Sequence, residues 1–196
     1  YLTQADARAQ YVENNLVAGW FPTVKVDEKV DFDGDLANGA ARVRYHAHSD
    51  GLARHEPNEL VVPLSPSMTL SSNLAPLTKR TLPVSLPSYL APSRQRRTIR
   101  ILAPPGFTWE DAPPGGKVSG GDFGSAQLEI TKDPRDARAV VIRRTVVFDK
   151  SEIPVAQYGA WRAFLQQTDA LMHKSVRLLQ ASPAGSKAQT EAKVTK

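Results

Sequence analysis

The chain has 196 residues, of which 41% are hydrophobic and 23% charged, with a formal net charge of +5 and no cysteine. That length and apolar share suit one ordinary domain, or two small ones, with a core that needs no metal or cross-link. The missing cysteines exclude disulfide scaffolds, thiolate zinc sites and thiol nucleophiles together.

The chain opens Tyr1-Leu2-Thr3-Gln4, without an initiator Met and without a basic-then-apolar leader. This start reads as a fragment, or as a mature chain whose leader is gone. Residues 2–18 are the first predicted helix. Thr3 is placed as N-cap with Asp6 as its capping partner, and Leu2, Ala5, Ala9, Val12 and Leu16 form one stripe. Gly19 and Pro22 stop it, and Trp20 and Phe21 form an aromatic anchor beneath it.

Val24, Val26, Val30 and Phe32 alternate with charged residues, which predicts a half-buried strand over 23–32. Asp33-Gly34 signals a turn leading into a loop that runs to Gly39, and residues 41–48 alternate again, with Val43 and Tyr45 on the inner face. Residues 59–64 are a short strand. From Pro63 to Pro92 prolines are frequent, so this region is expected to hold edge strands, loops and a crossover. Residues 97–102 and 107–109 read as strands. Residues 125–131 and 138–148 read as a closing antiparallel pair around the turn Asp133-Pro134-Arg135-Asp136. Tyr158, Trp161, Leu165, Thr168 and Met172, broadened by Phe164 and Leu171, form the stripe of a terminal helix carried on to Leu179.

Short strands separated by Gly and Pro turns, without strand–helix–strand repetition, predict a mostly β fold. The expected fold is an antiparallel β-sandwich with an N-terminal and a C-terminal α-helix packed on it. The expected divisions are helix and anchor over 1–22, sandwich over 23–150, terminal helix over 151–180 and a flexible tail over 181–196. The longest apolar run, around 139–147, is interrupted by Arg143 and Arg144, so no membrane span is expected.

No motif carries convincing chemistry. His46 and His48 share a strand face, with His55 nearby, yet that face is the exposed one, and surface histidines are the simpler reading. Ser119-Gly120-Gly121-Asp122 and Gly115-Gly116-Lys117 fit hairpin turns better than a nucleophile or phosphate loop. Glu110-Asp111 and Asp31/Asp33 are solvated turn carboxylates rather than an acid–base pair. No catalytic residue, metal site or cofactor is therefore assigned, and no enzymatic activity is expected of this chain. Trp109, Phe107 and Tyr89 are a candidate sugar-stacking platform, against the simpler reading as core. Arg94, Arg96, Arg97 and Arg100 are a candidate anion or nucleic-acid contact. Arg97 and Arg100 fall on opposite faces of a regular strand, however, and no nucleic-acid partner is expected.

The ordered set Arg80-Thr81-Leu82-Pro83, Pro104-Pro105-Gly106-Phe107, Ala112-Pro113-Pro114, Ile153-Pro154 to Tyr158, Trp161-Arg162-Ala163-Phe164 and Asp169 resembles the C-terminal region of bacterial transglutaminase-like proteins. In those proteins a β-rich domain of unknown function precedes a transglutaminase-like core, and a second such domain closes the chain. The likeness spans roughly 20–180 and is strongest from Arg80 onward. The family's catalytic Cys has no counterpart here, nor do the His and Asp of its triad. The resemblance therefore implies a non-catalytic accessory or protein-interaction module of a periplasmic or cell-envelope protein, with a protein partner or an adjacent transglutaminase-like domain. Tyr158, Trp161, Phe164, Leu165, Trp20 and Phe21 are its expected structural or interaction anchors. The alternative is a carbohydrate- or surface-polymer-binding module.

Overall fold

The computed structural model describes residues 5–18, 21, 23–35, 40–64, 69–110 and 112–180. Helix α1 (Ala5–Val12) runs into one π-helical turn over Glu13–Val17, closed by Ala18 N donating to Glu13 O at 2.8 Å. The wider turn moves the apolar stripe on by one residue, so Val17 is buried after Val12 while Leu16 is half-buried. The expected cap Thr3 and the anchor Trp20 lie outside the described residues. Phe21 is half-buried against a small core of Ala9, Val12, Val17, Val24 and Val30.

Strands β1 (Lys25–Asp35) and β2 (Ala40–His48) form an antiparallel ribbon over that core, with a register shift between Val26 and Val30. The sequence places a turn at Asp33-Gly34, but β1 runs through it to Asp35. Asp33 pairs with Arg42 and Gly34 with Ala41 on an exposed ribbon where neither needs a buried side chain. Glu13 ties ribbon to helix by accepting from Lys25 Nζ at 2.8 Å and Val26 N at 3.1 Å.

Further along the chain come β3 (Arg54–Glu56), β4 (Glu59–Pro63), α2 (Leu70–Leu74), β5 (Val84–Ser85) and β6 (Ser93–Leu102). Then follow β7 (Phe107–Trp109), β8 (Gly116–Ser119), β9 (Gly124–Asp133) and β10 (Asp136–Phe148). Last are β11 (Glu152–Ile153), α3 (Tyr158–Met172) and β12 (Ser175–Gln180). Strands 6, 10, 9 and 8 make one four-stranded antiparallel sheet, the front sheet. Strands 3, 4, 12 and 7 make a second, the back sheet. Leu60, Val62, Val176 and Leu178 from the back sheet share a core with Ala126, Leu128, Val140 and Ile142 from the front sheet. The fold is therefore mostly β and sandwich-like, as the strand spacing indicates.

The other end of the front sheet's inner face is covered by α3. Tyr158, Trp161, Phe164 and Leu165 pack on Phe123 and Phe148, together with Val84 of β5 and Ile153 of β11. Two glycines permit the close approach. A Cβ at Gly120 would strike the Phe164 ring, and one at Gly116 would meet Leu171. Asp169 also holds α2, accepting from Leu70 N at 2.7 Å and Ser71 N at 2.9 Å. Helix α2 lies in the proline-rich stretch that the sequence reads as irregular. Its signal is local: Thr69 is an N-cap whose side chain accepts from Ser72 N.

The terminal helix is shorter than its stripe suggests. It ends at Met172, with His173 N donating to Asp169 O at 2.8 Å, and residues 175–180 form β12 instead. Val176 and Leu179 follow Met172 at helical spacing, which hides the change of period. Val176 and Leu178, two apart, are the buried pair, whereas Leu179 is exposed. Pairing on both sides, with β4 and β7, offers β12 two ladders of backbone hydrogen bonds.

Candidate interaction surface

The α3 anchors point inward. Trp161 is fully buried, with ring centroids of Phe123, Phe148 and Phe164 at 5.7, 5.5 and 5.8 Å. Tyr158 donates its hydroxyl to Leu77 O at 2.8 Å, and Phe164 and Leu165 are buried beside it. This helix covers its own domain, and its apolar stripe is not offered to a partner.

The three aromatics of the sugar platform do not come together as an exposed patch. Trp109 is buried, its indole N–H donating to Arg138 O at 2.6 Å, and Phe107 packs on the same core. Tyr89 is 79% exposed in the turn before β6. His46, His48 and His55 are exposed, and His48 Nδ1 lies 3.1 Å from Asp27 Oδ1. Among the described residues no three His, Asp or Glu side chains could share a metal ion. Gly116 begins β8, and Gly120 and Gly121 make the tight turn before β9.

The arginines divide by strand parity. On β6, Arg97, Ile99 and Ile101 face inward, while Arg94, Arg96, Thr98, Arg100 and Leu102 are exposed on the outer face. Arg97 stands directly opposite Arg144 of β10, and its guanidinium reaches Leu16 O at 3.4 Å. Burial, reinforced by the charge of Arg97, pushes the Arg144 guanidinium down to about 10, so it still carries its charge at neutral pH. Burial also lowers Arg97, and Tyr45 opposes that shift. In the sequence Arg144 stands out only as an interruption of an apolar run. Only the strand register, which no local pattern specifies, sets Arg144 opposite Arg97.

On the outer face, Arg143 pairs across the strand with Glu129 at 3.9 Å. Arg100 donates to Asp133 at 2.7 Å and to Asp136 at 3.0 Å, at the mouth of the β9–β10 turn. These bonds raise Arg100 further, Asp133 contributing most. Arg94 and Arg96 have no such partner among the described residues, although both are exposed beside Val147 and Thr145. The result is a sheet face that no described element covers, with two positive charges at one end that no described carboxylate compensates.

A solved structure, the "putative protease" of Parabacteroides distasonis, is similar at 17% identity and a TM-score of 0.46 over 63% of this chain. The chain spans about a quarter of that protein, since 24% of it is covered. No curated protein matches the chain. Residues 58–178, more than half of the chain, match a family described as a domain of unknown function with a solved structure. The two sheets, α2 and α3 lie almost wholly within the matched segment, whereas α1 and the β1–β2 ribbon precede it. The chain therefore belongs to the domain-of-unknown-function family DUF3858.

Proposed function

We propose that this chain is a non-catalytic accessory module that docks a protein partner in the cell envelope, as the resemblance to transglutaminase-associated domains implies. The observation that carries the reading is the outer face of the front sheet. The inner face is filled by the back sheet and α3, while the outer one presents Arg94 and Arg96 to solvent without compensating carboxylates among the described residues. Charge left uncompensated on a flat sheet face steers association and selects partners. The carbohydrate reading is weaker because Trp109, its central ring, is buried.

The reading frame that carries these residues is expected to encode a Cys-containing transglutaminase-like segment as well. Expressed apart and mixed, the two segments should co-elute, and the complex should weaken with salt. Reversing the charges with Arg94→Glu and Arg96→Glu should weaken it by about tenfold or more. Unaltered affinity in that variant would overturn the reading. So would amide hydrolysis or transglutamination by the cysteine-free chain alone.

A further inference from the structure

Resting on that interaction reading, we infer that the partner is held as an extended acidic segment, added as a further strand along the outer edge of β6. Ala103 N donates to Arg138 O at 2.8 Å, which sets the alternation of the β6–β10 ladder. Odd-numbered residues of β6 bond to β10. The N–H and C=O groups of Arg94, Arg96, Thr98, Arg100 and Leu102 therefore point away from it, along an edge that no described strand pairs with. All five residues are exposed. This is a ten-residue strand with one unused ladder, the setting in which extended segments bind by strand addition.

The side chains beside that ladder select the occupant. A second copy paired antiparallel about Arg96 would set the two Arg96 side chains against each other, a like-charge pairing that disfavours self-association. The same arginines favour carboxylates. Arg100 is already engaged by Asp133 and Asp136, so selection falls on Arg94 and Arg96. These are two residues apart on one face, about 7 Å by strand geometry. A segment with Glu or Asp at alternate positions puts one carboxylate opposite each. An uncharged residue then follows opposite Thr98.

The probe is a short capped peptide alternating Glu with Val, compared with its Lys-for-Glu counterpart and with a single-stranded oligonucleotide. Each is titrated into the whole chain by calorimetry, with amide exchange followed by NMR. The Glu peptide should bind, and it should slow exchange at the amides of Arg96 and Thr98. Arg94→Glu with Arg96→Glu should invert the preference toward the Lys peptide. Thr98→Pro removes an outward N–H that bonds nothing within the sheet, so the fold is retained. That variant should bind the Glu peptide about tenfold more weakly. Equal binding of the Lys peptide overturns the inference. So does Glu-peptide binding without protection of these amides, or tighter oligonucleotide binding that Thr98→Pro leaves unchanged. If charge reversal releases the transglutaminase-like segment while Thr98→Pro does not, strand addition fails and the interaction reading stands. If neither does, both fail.

Discussion

Trp161 is enclosed by three phenylalanine rings, and its buried indole N–H has no acceptor among the described residues. The two facts predict a graded response. Trp161→Ala should cost about 3–5 kcal/mol, the range for truncating a large buried aromatic. Trp161→Phe should cost clearly less, because it keeps most of the ring volume and removes a donor that makes no bond. Urea unfolding of both variants measures the difference, and equal losses would mean that the indole N–H contributes after all. Gly124 offers a second residue-scale test. Its φ is +133°, and a Cβ there would run into the Val147 carbonyl oxygen. Gly124→Ala should destabilise by roughly 1–3 kcal/mol or more from backbone strain alone, read from the same unfolding curves. Trp161 was legible in the sequence because burial on a helix follows a period. Arg144 was not, because arginine is almost always exposed and only the pairing partner shows otherwise.

At the scale of elements, the front sheet is fastened at one corner by charge. Arg100, from β6, reaches past β10 to both carboxylates of the β9–β10 turn. Asp133 is held below the usual carboxylate range, chiefly by Arg100 and then by the Arg135 N–H. Asp136 is also lowered, chiefly by the Arg138 N–H, with Arg100 contributing less. A carboxylate lowered in the folded state stabilises it above the unfolded value, about 3.9. That contribution disappears as pH falls through the lower folded value. Stability should therefore decline below about pH 4. Arg100→Ala should flatten that acid limb, mostly through Asp133, while leaving part of the Asp136 contribution. Thermal melts across the acid range check this, and high salt should shrink the effect because Arg100 is exposed and the two carboxylates are only half-buried. The strands that form this corner were plain in the sequence, each alternating over six or more residues. The clamp was not, since it joins residues more than thirty positions apart.

For the molecule as a whole, the decisive feature is the last strand, which the helical stripe concealed. Strand β12 lies between β4 and β7, so it alone connects the hairpin of β3 and β4 to β7 within the back sheet. Val176 and Leu178 also enter the core shared by both sheets. A two-residue period six residues long, directly after fifteen residues of helix, is too short to outweigh a stripe that Met172, Val176 and Leu179 continue. Tertiary pairing decides it, because only the strand satisfies the backbone groups of both neighbours. Ending the chain after Lys174 should therefore do more than trim a terminus. It should split the back sheet, expose Leu60, Val62 and Leu128, and abolish cooperative unfolding. Ending it after Gln180 keeps every described strand and should leave the melting transition in place. Circular dichroism and calorimetry on the two truncations separate the cases. A cooperative, wild-type-like transition in the shorter chain would mean that the sandwich closes without its central strand.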